Sequence, residues 1–472
     1  MSLKGRTLAE LAIELAQGAT TSRALTEAAL EAIEADPRPF ARVWFDPARA
    51  AADAIDRLRA QGIVPSRFAG IPISVKDLFD VAGEPTPAGS AIRAAGPVAT
   101  ADAPTIARLR AAGFVLVGRT QMSEFAFTGV GLNPHGPQPV NPLDTRRAPG
   151  GSSGGAAVSV ALGQAAGAIG TDTAGSVRIP AAFCGLVGFK PTQRRVTREG
   201  AFPLSHSLDS IGPIANSTDC CRTLDAILSD RPPSPAASER LDGLRLGVPR
   251  QYMMDSLDAP VAAAFDAALE ALSSAGARIE PADFPELDNI PTINAQGTLS
   301  NAEAFAIHRR LGLLESRDLY DPNVLARVEV GGRMGAADYL DLLEARARMI
   351  EASAARMAPY DALVAPTVPI LPPLLEALND PQEFARLNGL ALRNTGVVNL
   401  IDGCAISLPV GACDAPTGLM IMGPQLADAR ILAIAEAAER CWGAQPSCGS
   451  GSGCSRNRRA LPEARSRSAR RH

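Results

Sequence analysis

Histidine is scarce here, with four residues in 472, so a hydrolase built around an imidazole base would have few places to put one. Long apolar runs are lacking as well, and no stretch approaches the ~20 residues that a membrane-spanning helix requires. Met1 to Gly18 is broken by Lys4, Arg6, Glu10 and Glu14 and has neither the apolar centre nor the cleavage site of a signal peptide. A cytoplasmic protein is the expectation. An excess of one charge sign is also missing. The formal net charge of −4 gives no global reason to expect nucleic acid or an anionic membrane as a partner. The eight cysteines (184, 220, 221, 404, 413, 441, 448 and 454) show no metal-ligand spacing and no dense framework, and are read as reduced thiols. Cys220 and Cys221 are read as helix residues.

The remainder is 46% hydrophobic and 20% charged, with 42 Gly and 38 Pro, the composition of a globular protein with a sizeable core and many turns. Apolar spacing predicts helices over Thr7 to Gln17, Ser22 to Ala35 and Pro47 to Gln61. Gly70 to Val75 reads as a buried strand that delivers Lys76 at its end. A helix over Thr105 to Ala112 and a strand over Gly113 to Gly118 give the alternation of an α/β sheet. A helical turn begins at Met122, and Gly129 to Pro149 is an irregular loop entering Gly150-Gly-Ser-Ser-Gly-Gly155. A helix from Ala156 to Leu162 and a strand over Gly167 to Gly170 follow. Further on come a strand at Leu244 to Pro249, a helix at Val261 to Ala275 and a strand at Ala277 to Ile279. Helices at Asn301 to Leu311 and Ala336 to Ala355 and a strand at Ala362 to Ala365 complete the pattern. No repeat or linker divides the chain, so one large α/β domain over 1–442 is expected. Residues 443–472, rich in Gly, Ser and Arg, hold too little apolar surface to fold and are expected to be a disordered tail.

Gly150 to Gly155 would place several backbone N–H groups in one turn, able to hold an anion or an active-site serine. Gly150-Gly-Ser-Ser-Gly154 also fits the G-x-S-x-G elbow. That elbow needs a preceding strand, which Asn141 to Pro149 is not, and a histidine base. His206 and His308 are read as ordinary structural residues. Gly185 to Lys190 lacks the spacing of a phosphate-binding loop and is followed by Pro191.

The specific combination is two serine-bearing Gly-rich turns with an upstream lysine at a strand end. Gly150-Gly-Ser-Ser-Gly-Gly155 followed by Gly170-Thr-Asp-Thr-Ala-Gly-Ser-Val-Arg-Ile-Pro180 resembles the signature of the amidase signature family, with Ser152 and Ser176 at the family's separation of 24 residues. Phe183 to Thr192, Gly70 to Asp77 and Asn399 to Val410 are similar to its other motifs, so the likeness runs over roughly residues 7 to 442. It implies a mixed β-sheet with helices on both sides. It also implies Ser176 as nucleophile, Ser152 as bridging serine and Lys76 as base, with a cis peptide between Gly151 and Ser152. A lysine can act as base only if burial lowers its pKa. Ile73 and Val75 supply apolar surroundings, and Asp77 must point away, as adjacent strand residues do. The backbone N–H groups of Thr173, Ala174, Gly175 and Ser176 are the implied oxyanion hole. Ala174 departs from the commoner Gly. Thr171, Asp172 and Arg178, also in the signature, are read either as residues whose hydrogen bonds fix the loops or as direct participants in catalysis, and Ser153 as a loop-fixing hydroxyl.

The reaction so implied hydrolyses an amide to an acid and ammonia or an amine, and needs no metal or organic cofactor. The expected partner is a small-molecule amide, with neither nucleic acid nor membrane involved, and a homodimer is left open. The pocket is expected between Phe125 to Gln138, Asn301 to Arg310 and Pro366 to Leu371. Two alternatives stand beside this reading. One is the A-type subunit of a tRNA-dependent amidotransferase, against which Ile179 stands where those subunits usually carry Gln. The other is a non-catalytic binding protein of the same fold.

Overall fold

The structure is a computed structural model, and it describes residues 2–232, 240–412 and 415–442. The expected tail at 443–472 lies outside the described residues. The Thr7 hydroxyl accepts the Glu10 N–H and the Glu10 carboxylate accepts the Thr7 N–H, a capping box that starts α1 (Leu8–Gln17); Gly18 stops it at φ 69°. Thr21 caps α2 (Ser22–Ala35) through the Ala24 N–H. The next two helices, α3 (Phe45–Ala60) and α4 (Pro104–Ala111), start within two residues of their predicted positions.

Among the described residues eleven strands form one sheet: β1 (Phe40–Val43), β2 (Pro72–Lys76), β3 (Val115–Thr120), β4 (Gly167–Asp172), β5 (Val187–Lys190), β6 (Ser210–Ala215), β7 (Arg245–Pro249), β8 (Arg278–Ala282), β9 (Ala362–Pro366), β10 (Cys404–Val410) and β11 (Thr417–Gly423). Their spatial order is β1-β3-β2-β4-β6-β5-β10-β11-β9-β7-β8. The sheet is mixed. β2 runs parallel to β3 and β4, and β7 to β8 and β9, while the remaining pairs are antiparallel. Every residue of β2, β3, β4, β6, β9 and β11 is buried, so helices and loops cover both faces. The expected single α/β domain with a mixed sheet is what the chain forms.

Two differences from the sequence pattern bear on the site. The Gly-rich run is not all loop, because helix α5 (Gly154–Ala161) begins inside it with Ser153 as its N-cap. Val177 to Pro180, for which the pattern assigned no element, turns into the short helix α6 (Arg178–Phe183). Pro180 fits because a proline in the first helical turn forfeits no intrahelical N–H bond.

β2 and β4 run parallel, so Lys76 and Thr171–Asp172 arrive at one sheet edge. β6 is antiparallel to β4 with Asp172 opposite Ser210, and so starts at that same edge. Among the described residues no helix is long and apolar enough to cross a membrane. Cys184, Cys220, Cys221, Cys404 and Cys441 are free thiols, with Cys220 and Cys221 in the helix Thr218–Ser229.

Candidate active site

Lys76 is completely buried, and Ile73 and Val75 lie with Asp77 on the opposite face of the strand. Its Nζ lies 2.7 Å from Ser152 Oγ and 2.9 Å from Thr171 Oγ1. Burial lowers its pKa from the ordinary lysine value to about 7, against the opposing charges of Asp172 and Asp209. An amine in that state can donate to Thr171 while accepting from Ser152. Asp77 points away, its Oδ1 3.6 Å from Arg119 Nη1 and its Oδ2 accepting from the Gly89 N–H.

Ser152 sits behind a cis peptide bond to Gly151, as the resemblance implied. The Gly151 N–H donates to Gly129 O at 2.8 Å, and Ser152 O accepts the Ser123 N–H at 3.1 Å. Ser153 ties the two serine turns together: its N–H donates to Ser176 O at 3.2 Å and its hydroxyl to Thr171 O at 3.4 Å. Ser176 is 4% exposed, and its hydroxyl holds no hydrogen bond to any described residue.

Asp172 organises the second turn. Its carboxylate accepts the N–H groups of Gly175 (2.8 Å) and Val177 (3.2 Å) and a bidentate pair from Arg178 (3.0 and 2.8 Å). Burial alone would raise its pKa. The Arg178 charge and hydrogen bonds, the Lys190 charge and the Asn399 amide outweigh burial and hold it at about 2. Arg178 also donates to Thr395 O (3.0 Å) and Asn399 Oδ1 (2.7 Å) on the helix Pro381–Leu400, and the Asn399 amide returns a bond to Asp172 O. Asp172 and Arg178 thus hold the second turn to the helix Pro381–Leu400. Thr171 touches Lys76 directly.

The four expected oxyanion donors divide. The Gly175 N–H is taken by Asp172 and is removed from the set. Those of Thr173, Ala174 and Ser176 have no acceptor among the described residues. Gly175 has φ 133°, and a Cβ there would lie 2.1 Å from Thr395 Oγ1, so no other residue fits. The Ala174 methyl faces Gly396, and its carbonyl accepts from Thr395 Oγ1 at 2.6 Å.

A cavity of about 210 Å³ opens beside Thr171 and Thr173. Leu78, Ala126, Phe202 and Ile211 give it apolar walls, and Arg198 and His206 stand among its polar residues. Only Ala126 comes from the three segments expected to line the pocket; the wall is mostly the stretch before β6. Asp209, in that stretch, accepts from Thr173 Oγ1. It lacked any signal in the sequence because its role depends on the β4–β6 register. His308 is a core residue, its Nδ1 2.8 Å from Tyr320 Oη and its ring edge-on to Phe125.

Residues 24–432 match the family model described as Amidase, and the chain belongs to the amidase family. It is 38% identical to the 2-amino-5-chloromuconic acid deaminase of Comamonas testosteroni, over 91% of this chain and 94% of that protein. It is 34% identical to the A-type subunit of the glutamyl-tRNA(Gln) amidotransferase from Anaeromyxobacter dehalogenans, over 93% and 96%. A solved amidase structure superposes with a TM-score of 0.83 at 32% identity, covering 92% of this chain and 99% of its own.

Proposed function

We propose that the protein hydrolyses the C–N bond of a small carboxamide through an acyl-enzyme on Ser176. The observation that carries this reading is the contact of a fully buried lysine, its pKa lowered to about 7, with the Ser152 hydroxyl. Neutral Lys76 takes the Ser152 proton, Ser152 takes that of Ser176, and the Ser176 oxygen attacks the amide carbon. The oxyanion meets the N–H groups of Thr173, Ala174 and Ser176, each worth about 3 kcal/mol by analogy with single-donor deletions elsewhere. Collapse expels ammonia or an amine, protonated through Ser152. Water then attacks the acyl carbon by the reverse relay and frees the acid.

The cavity, lined by Thr171 and Thr173 beside the serine turns, has a volume that suits a small substrate; the substrate named for the deaminase relative is an enamine and not an amide, so 2-aminomuconate enters the panel as a test of a C–N bond outside the acyl-enzyme scheme. The 34% identity to the A-type component of an amidotransferase supports a second reading, a glutaminase that passes ammonia to a partner. Both are tested by ammonia release from indoleacetamide, benzamide, aliphatic amides, malonamide, biuret, glutamine and 2-aminomuconate, with wild type and Ser176→Ala. Turnover of a small amide that Ser176→Ala lowers on the order of 10,000-fold is the expected result. Turnover that survives the substitution refutes the reading, and turnover of glutamine alone favours the second one.

A further inference from the structure

We propose that Asp209 is a positioning residue for this reaction, mooring the Thr173 end of the oxyanion turn to the cavity wall and placing its carboxylate on the cavity that Thr171, the hydroxyl in contact with Lys76, also lines. The proposal rests on the relay through Ser176, Ser152 and Lys76. Asp209 immediately precedes β6 and is buried. Its Oδ1 accepts from Thr173 Oγ1 at 2.6 Å, and its Oδ2 accepts the N–H groups of Leu204 (2.9 Å) and Ser205 (3.0 Å). The wall it grips is itself held. Buried Glu303 accepts from the hydroxyls of Ser205 and Ser207, the Ser207 N–H (3.0 Å) and Tyr339 Oη (2.9 Å). A buried carboxylate is costly unless its oxygens are hydrogen-bonded, and Asp209 spends a bond on a residue whose own N–H is a candidate oxyanion donor.

The charges around Lys76 come from every side. Asp172 at the end of β4 is bound to Arg178 and neighbours Lys190 of β5, Asp209 has Arg198 near it, and on the far face of β2 Asp77 faces Arg119. Of these, Asp172 and Asp209 act on Lys76, and both favour its protonated form. Asp172 is neutralised by a bidentate arginine, whereas Asp209 holds no ion pair among the described residues. Burial raises the pKa of Asp209 itself, opposed by its hydrogen bonds from Thr173, Ser205 and Leu204 and by the Arg198 charge; over the pH range in which Asp209 is ionised, removing its charge leaves Lys76 neutral down to lower pH, and the acid limb of reactivity moves to lower pH.

The test reads Ser176 directly, without a known substrate. Phenylmethylsulfonyl fluoride esterifies the serine: the Ser176 oxygen bonds to sulfur, fluoride leaves, and the hydroxyl proton passes through Ser152 to Lys76. The labelling rate is followed by intact mass against pH for wild type, Asp209→Asn, Asp209→Glu and Thr173→Val, with Ser176→Ala as blank. Asp209→Asn is expected to label about tenfold more slowly on its plateau, with the acid limb about half a unit lower. Thr173→Val loses the mooring and keeps the charge, so it slows with its limb unmoved, and Asp209→Glu keeps the wild-type limb. An Asp209→Asn limb that coincides with wild type overturns the electrostatic role, and a Thr173→Val rate equal to wild type overturns the mooring. Should Asp209→Asn fail to fold, a displaced limb in Asp209→Glu overturns the proposal. A folded wild type that does not label at Ser176 defeats the relay itself, an outcome distinct from these.

Discussion

Two lysines end buried strands at the heart of this sheet, and they differ in what they touch. Lys76 and Lys190 are both almost wholly out of solvent, and burial lowers both, to about 7 and about 8; at Lys190 the Arg178 charge adds to the lowering. Lys190 donates to two carbonyls, Pro191 O at 2.8 Å and Gly403 O at 2.7 Å. A carbonyl has no proton to give, so Lys190 can only tie β5 to the turn before β10. Lys76 meets two hydroxyls, and a hydroxyl both accepts and donates. A lowered pKa therefore identifies a buried amine, and the partner's chemistry decides whether that amine is a brace or a base.

The comparison breaks most sharply under truncation. Lys76→Met should lower amide turnover by about 100- to 10,000-fold, the range for loss of a general base, with an unchanged circular dichroism spectrum. A variant within tenfold of wild type would make Lys76 a brace like Lys190. Acidity gives the next largest effect. As the proposed base, Lys76 must be neutral to work, and its pKa is lowered to about 7, so kcat/KM should be level above about pH 7 and fall tenfold per unit below it. Titration of Lys190 near 8 should leave no inflection in that profile.

The smallest effect on activity belongs to Lys190→Met, expected within about threefold of wild type, since it makes no contact with the reacting atoms. Its stability should fall by about 1–3 kcal/mol, because the carbonyls of Pro191 and Gly403 lose their donor. Its pH dependence sharpens the point. A lysine with a depressed folded pKa binds fewer protons when folded, so wild-type stability rises with pH between about 8 and the unfolded value near 10.4. Denaturant titrations of Lys190→Met should show a shallower rise over that window.

How far the sequence could be read follows the same division between local and distant chemistry. Lys76, Ser152 and Ser176 were legible because each lies in a short segment whose neighbours announce it, Gly-rich turns for the serines and an apolar strand for the lysine. Strands β2, β3 and β4 showed as apolar runs. Strands β5 and β6 did not: β6 is Ser-Ile-Gly-Pro-Ile-Ala, with Gly and Pro where a strand pattern should hold, and only its neighbours on both sides make it extended. The loss of Gly175 from the oxyanion set was invisible because a run of N–H groups in the sequence does not tell which of them a carboxylate has already claimed. Asp209 and Thr395 escaped, and Asn399 was marked only as the start of a motif with no role, because their contacts join residues up to 227 positions apart.

That last distance has a consequence for how the protein comes into being. The turn that carries Ser176 is anchored through Asp172 and Arg178 to Thr395 and Asn399, so its shape is not fixed until most of the chain has been synthesised. During synthesis from the N-terminus, Ser176 emerges long before the residues that give its turn a geometry. The shape of that turn thus arrives late, together with the closing of the fold.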